Sequence, residues 1–283
     1  MIEAVQKDDA FLEDVRVKRG LGELSIWWLG QSGFLVQSGG KHLLIDPYLS
    51  DSLTKKYAET DKPHVRMTER VIAPERLDFI DLITSSHNHT DHFDPETLDP
   101  LLSVNPATKI ILPEANRGVS PPRLSEHNDP ERFIGIDADR TQRSGGINVH
   151  GIAAAHNKLE RDERGHHKFL GYVFDIGRWR VYHSGDCRWY PGLAEGVRLF
   201  RPDVAILPIN GDEPGRRVAG NFDGLEAARL AKDIKTKIVM PCHFEMFEFN
   251  TVEPDLFVKS CDEIDQPYKV MRSGERWSSE EFG

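Results

Sequence analysis

The stretch that decides the reading is Ser85-Ser86-His87-Asn88-His89-Thr90-Asp91-His92, which directly follows the apolar run Phe79–Thr84. It packs four side chains able to bind a metal, His87, His89, Asp91 and His92, into six residues. If Phe79–Thr84 is a strand, the extended backbone beyond it sends His87 and His89 to one side. A turn at Thr90-Asp91-His92 can then swing two more ligands beside them. Imidazole nitrogen and carboxylate oxygen suit Zn²⁺ or, with more oxygen character, Mn²⁺ or Fe²⁺. Solvated surface histidines are the competing reading, and the density of the cluster argues against it.

Working outward, three further segments end a strand-like run in a residue of the same chemistry. Ile147–Ala155 ends in His156, Trp179–His183 ends in Ser184-Gly185-Asp186, and Lys237–Pro241 ends in Cys242-His243. Side chains at strand ends are held by a rigid scaffold and still reach solvent, so function gathers there in α/β sheets. One histidine after a strand is more often a satisfied polar group; three such ends beside the cluster point to one metal centre. Asp46, before Pro47, is placed to accept a hydrogen bond from a ligating histidine and fix its tautomer. His183 is a second supporting candidate. Cys187 and Cys242 adjoin ligands, but strand alternation turns Cys242 away from His243, and both read as buried packing thiols. His166 and His167, in a charged hairpin tip, read as solvated.

The rest of the chain fits one α/β unit of 283 residues. Residues 1–20 read as a mixed-charge helical extension packed by Phe11, Leu12 and Val15, and residues 21–283 as a single domain. Strands are expected at Ile26–Leu29, Phe34–Val36, His42–Ile45, Phe79–Thr84, Lys109–Leu112, Ile147–Ala153, Phe169–Phe174, Trp179–His183, Val204–Pro208 and Lys237–Met240. Leu225–Ile234 reads as a helix capped by Asp223. Residues 50–78 are long and polar enough for a functional loop or lid. With 36 Lys+Arg against 46 Asp+Glu the formal charge is −10, which argues against nucleic-acid and anionic-membrane partners. Three cysteines and a charged N-terminus without an apolar signal segment lead us to expect a cytoplasmic protein. The expected partner is a small, anionic molecule, and a homo-oligomer is anticipated.

With these residues in place, the chain resembles the metallo-β-lactamase-fold hydrolases from Leu24 to about Leu256. The resemblance implies a four-layer αββα sandwich with its site at one edge, between the sheets. It also implies that His87, His89 and His156 hold one divalent ion and Asp91, His92 and His243 a second, with Asp186 bridging. Two ions, zinc or manganese with iron as a further option, would then present a hydroxide as nucleophile, and Asp91 and Asp186 would position or shuttle its proton. The runs Trp27-Trp28-Leu29-Gly30-Gln31-Ser32-Gly33-Phe34, Asp46-Pro47-Tyr48-Leu49-Ser50 and Leu207-Pro208-Ile209-Asn210-Gly211 look like the ascorbate-6-phosphate lactonase-like branch. Gly220-Asn221-Phe222 and Met240-Pro241-Cys242-His243-Phe244 add to that likeness. The implied reaction is hydrolysis of a small lactone or ester that can be phosphorylated, with phosphodiester hydrolysis as the alternative. Di-iron redox members of the superfamily carry a carboxylate where His89 stands and a flavin domain for which this chain has no room. A non-catalytic metal-binding protein would have no use for seven ligands. For substrate, the Asn210–Asn221 loop is the expected grip, with Asn210, Arg216, Arg217 and Asn221 as contacts, helped by Lys55, Lys56 or Arg66.

Overall fold

The computed structural model describes residues 1–17 and 19–282; Lys18, inside the expected 1–20 extension, and Gly283 lie outside the described residues. Two sheets dominate. The first has β1 (Leu24–Gly30), β2 (Gly33–Ser38), β3 (Lys41–Ile45), β4 (Leu82–Thr84), β5 (Lys109–Pro113), β6 (Phe133–Ile136) and the late strand β15 (Arg276–Ser278), in the order β15-β1-β2-β3-β4-β5-β6. A second sheet contains β7 (Thr141–Ser144), β8 (Ile147–Ala153), β11 (Leu170–Ile176), β12 (Trp179–His183), β13 (Val204–Pro208) and β14 (Ile238–Cys242), in the order β14-β13-β12-β11-β8-β7. A short pair, β9 (Ala155–His156) and β10 (Lys158–Leu159), stands apart. The helices are α1 (Asp8–Arg16), α2 (Ser52–Tyr57), α3 (Pro95–Val104), α4 (Leu193–Arg198), α5 (Gly224–Ile234) and α6 (Asp255–Glu263).

Strand alternation builds the layers. In β1, Ile26 and Trp28 face inward and join Phe34, Val36, Val149, Tyr172 and Phe174 in the core between the sheets. Trp27 and Leu29 point the other way and pack with Phe11, Leu12 and Val15 of α1 and Leu98, Leu101 and Leu102 of α3. Both faces of β1 are therefore buried, which is why Ile26–Leu29 within it is a continuous apolar run rather than an alternating one. On the far side α5 lays Ala227, Ala228, Leu230, Ala231 and Ile234 against the second sheet. Asp223 caps α5 by accepting from the amide of Glu226, while Glu226 accepts in return from the amide of Asp223. The result is the αββα sandwich of the metallo-β-lactamase fold.

Some sequence expectations shift. The strand expected over 79–84 begins only at Leu82, because Asp81 turns back to bind the His42 amide and the Lys41 ammonium. The polar stretch after Leu112 hides β6 and β7; Thr141-Gln142-Arg143-Ser144 carries no apolar residue, since it forms an edge paired only with β8. Residues 50–78 contain α2 and a single 3₁₀ turn, Pro74–Arg76. Among the described residues, no helix is long and apolar enough to cross a membrane.

Candidate metal centre

The parallel strands end at one edge of the sandwich, and the metal-competent side chains sit just beyond those ends. His87 to His92 follow β4, His156 lies in β9, Asp186 follows β12 and His243 follows β14. Three groups of these residues each bring one ligand atom per side chain to within 4.8 Å of one another: His87, His89 and His156; Asp91, His92 and His243; and His87, His92 and Asp186.

The carboxylate of Asp186 lies between the groups. Its Oδ1 is 3.4 Å from His92 Nε2, and its Oδ2 is 3.6 Å from His156 Nε2 and 3.3 Å from His243 Nε2. Asp91 Oδ2 is 3.4 Å from His243 Nε2 and 3.5 Å from His92 Nε2. Two ligands bonded to one ion at about 2.0–2.2 Å with tetrahedral angles stand roughly 3.3–3.6 Å apart, so these separations fit ligands sharing cations. The chemistry of the free atoms agrees. His87 Nε2, His92 Nε2 and Asp186 Oδ1 are buried without a hydrogen-bond partner, and an orphaned polar atom is costly unless something else satisfies it. The residues present therefore fit a divalent metal pair.

Neighbours fix which nitrogen is free in three of the rings, those of His92, His87 and His156. His92 Nδ1 is 2.6 Å from Asp46 Oδ2, both side chains being fully buried. Asp46 also accepts from the Ser86 amide at 2.9 Å and from the Ser86 hydroxyl. His87 Nδ1 is 3.0 Å from Ser86 Oγ, and His156 Nδ1 donates to Gly220 O at 3.1 Å. Each contact occupies Nδ1 and leaves Nε2 aimed at the cluster. His183 does not approach a ligand ring; its Nδ1 accepts from the Gly185 amide at 3.2 Å and so braces the turn presenting Asp186. Gly185 itself has φ +58°, and a Cβ there would stand 2.6 Å from Ser86 Cβ, so no larger residue fits that turn.

Electrostatics pull in two directions. Burial disfavours charge on Asp91 and Asp186, yet His92 and His243 hold both carboxyls well below the usual carboxylate range. Burial likewise opposes protonation of His243, but Asp186 and Asp91 raise its pKa to about 9. His87 and His156 are pushed down, first by burial, and stay neutral donors. A cation entering at His243 must displace that proton. Against the opposing effect of burial, Asp186 and Asp91 also hold the neighbouring His92 well above the usual histidine range, so two protons leave as the cation binds and its affinity is expected to rise more than tenfold per pH unit across neutral pH. Calorimetric titration of the metal-free chain at several pH values checks this; a pH-independent affinity would contradict it.

Gln31 went unnoticed in the sequence beyond its place in a turn. It is buried, has φ +50°, and its Nε2 lies 2.9 Å from Asp91 Oδ2 and 3.1 Å from His243 Nε2. Its carbonyl accepts from the His243 amide at 3.0 Å and from the Trp28 indole at 3.0 Å. Its left-handed backbone shows only in the structure; the sequence offers no more than a polar residue in the tight turn Gly30-Gln31-Ser32-Gly33.

The expected substrate loop reaches the cleft through Val218 and Ala219, while its four polar candidates make contacts within the protein. Asn210 and Asn221 are buried and bond to each other at 3.0 Å, and Asn210 Nδ2 donates to Asn250 Oδ1 at 3.0 Å. Arg216 donates to the carbonyls of Asn210 and Thr251, and Arg217 pairs with Asp61 at 2.7 Å. Asn210, Asn221 and Arg216 satisfy buried or part-buried amides and carbonyls of the loop and its neighbours, whereas the Arg217–Asp61 pair is exposed on the surface. Lys55 pairs with Glu96 and Arg66 with Asp51. The cations that do line the cleft are Lys56 and Arg123, and the latter donates to Asn88 O and to Thr90 Oγ1. His167 is not solvated either: it is buried, with Nδ1 2.7 Å from Asp137. Cys187 accepts from the Ala155 amide, and burial pushes its thiol up to about 12, so it stays protonated and packs.

A family profile described as "Beta-lactamase superfamily domain" matches residues 25–243. The chain belongs to the metallo-β-lactamase superfamily. A UPF0173 metal-dependent hydrolase from Rubrobacter xylanophilus is 30% identical over 275 residues, covering 93% of this chain and 100% of the relative. Another protein of that description, from Methanosarcina mazei, is 27% identical over 264 residues, covering 90% of this superfamily member and 98% of the relative. Among solved structures, Igni18, a metallo hydrolase from the archaeon Ignicoccus hospitalis, superposes with a TM-score of 0.64 at 20% identity, covering 90% of this chain and 98% of the other. At that identity the likeness speaks for the metallo-β-lactamase fold alone.

Proposed function

We propose that this protein is a metal-dependent hydrolase that cleaves a small lactone or ester at a pair of divalent ions, zinc or manganese. The observation that carries the proposal is the convergence of seven metal-competent side chains from four separate strand ends beside an open cleft, Asp91, His92, His156, Asp186 and His243 at separations of 3.3–3.6 Å and His87 and His89 with ligand atoms within 4.8 Å of their group. Divalent ions held by His87, His89, His156, Asp91, His92, His243 and Asp186 would supply Lewis acidity and make water acidic enough to serve as a nucleophile near neutral pH. Asp186, between both ligand groups, and Asp91, fixed by Gln31, are the carboxylates placed to receive or return a proton near the reacting atoms. Arg123, at the cleft wall, adds a fixed cation for an anionic part of the substrate, in place of Arg216 and Arg217. The lactonase-like branch is supported by the sequence runs Trp27–Phe34 and Met240–Phe244.

Elemental analysis of the purified chain, with a panel of lactones, esters and bis(nitrophenyl) phosphate, tests the reading. Two divalent ions per chain and lactone or ester turnover that chelator abolishes and zinc or manganese restores are expected. Turnover that survives complete metal removal would sink the proposal.

A further inference from the structure

The cleft holds about 610 Å³, and only its floor is made of metal ligands. One wall is a separate apolar cluster, in which Leu53 and Phe247 are buried and Tyr57 and Phe249 pack around them. His64 sits among these rings: 4.2 Å from Tyr57 between centroids and nearly parallel at 20°, 4.5 Å from Phe249, and 5.1 Å from Phe247. Its Nδ1 meets Lys62 O at 2.9 Å, and burial lowers its pKa, so the imidazole stands neutral in the wall. Tyr57, His64, Phe247 and Phe249 all face the cleft that holds His89, Asp91 and Asp186. Val218 and Ala219, small apolar residues of the 211–220 loop, line the same space.

This wall is rigidly tied to the metal centre. Phe247 and Phe249 follow within six residues of His243 along the chain. The segment carrying His64 is laced to theirs by backbone bonds, Met67 N to Met246 O at 2.9 Å and Glu248 N to Val65 O at 3.0 Å, with an antiparallel bridge between Arg66 and Phe247. A flat carbon surface laid against these rings buries apolar area on both sides without leaving a hydrogen bond unmade.

Resting on the hydrolase reading above, we propose that the substrate carries a planar apolar group, such as an aryl ring, that lies on the Tyr57–His64–Phe249 wall while its scissile group reaches the metal floor. Specificity then comes from the wall, and the metal centre takes only the polar head.

Two phosphonates isolate the ring from the head group: benzylphosphonate and methylphosphonate, titrated calorimetrically into the zinc-loaded protein, with metal content measured on the same samples. Benzylphosphonate is expected to bind at least tenfold more tightly. In Phe249→Ala and Tyr57→Ala that preference is expected to fall below threefold, with methylphosphonate affinity and zinc content unchanged. Both positions are part-exposed, so these variants fold; Tyr57→Phe is expected to keep the preference. Equal affinity of the two phosphonates in a fully zinc-loaded wild-type protein would overturn this inference and leave the hydrolase reading standing. A preference that survives both alanine variants would also overturn it. A chain that takes up no zinc and binds neither phosphonate would overturn both readings together.

Discussion

Asp186→Asn is expected to lower kcat/KM for any hydrolysed substrate by on the order of a thousandfold, equivalent to about 4 kcal/mol of transition-state stabilisation. The change keeps the shape of the side chain and removes its charge. Its two oxygens stand within 3.6 Å of His92, His156 and His243, ligands from both groups. An amide offers one acceptor where the site needs two, and the NH₂ would point a donor at a position meant for a cation. Zinc content should fall along with rate. Steady-state kinetics with elemental analysis checks this; a variant that keeps two ions per chain and more than a tenth of the activity would show that Asp186 does not join the two ligand groups.

The largest stability effect is expected from Asp46→Ala, a residue that touches no substrate. Asp46 is wholly buried with φ +40° and accepts from His92 Nδ1, the Ser86 amide and the Ser86 hydroxyl. Removing it leaves buried donors without partners and takes the counter-charge from His92, a class of change that costs about 3–5 kcal/mol. It also frees the ring of His92 to rotate or change tautomer, which lowers metal affinity by about 10–100-fold. Asp46→Asn keeps an acceptor for the Ser86 amide and is expected to lose less stability while still weakening metal binding. Denaturant unfolding of metal-free protein separates the structural loss from the metal loss. A variant as stable as the parent would mean that Ser86 and His92 find other partners.

How much of this was legible in the chain differs from residue to residue. His87, His89, Asp91 and His92 could be read directly, since four ligands in six positions are rarely produced by surface chemistry. His156, Asp186 and His243 were visible because each ends a run whose apolar pattern announces a strand, and strand ends are where a sheet exposes side chains. The sheets were legible for the same reason: buried strands carry continuous apolar runs, such as Ile26–Leu29 in β1. β7 was hidden because an edge strand with four polar residues has no hydrophobic signal, and β15 because Arg276-Trp277-Ser278 has too few residues to show a period.

The substrate side of the cleft followed a different logic. Arg216 and Arg217 carry the chemistry of anion binding, and nothing in their neighbourhood in sequence shows that Arg216 donates to the carbonyls of Asn210 and Thr251 and that Arg217 pairs at the surface with Asp61. Gln31, Arg123 and the rings of Tyr57, His64 and Phe249 come from four stretches with no shared motif, brought together only by the packing of one segment on another. The sequence by itself determined the close spacing of metal-competent side chains and the apolar runs of the sheets, because residue type and strand periodicity are local properties. Only the tertiary structure decided which cations and rings face the cleft, because hydrogen-bond competition and burial depend on neighbours far away along the chain.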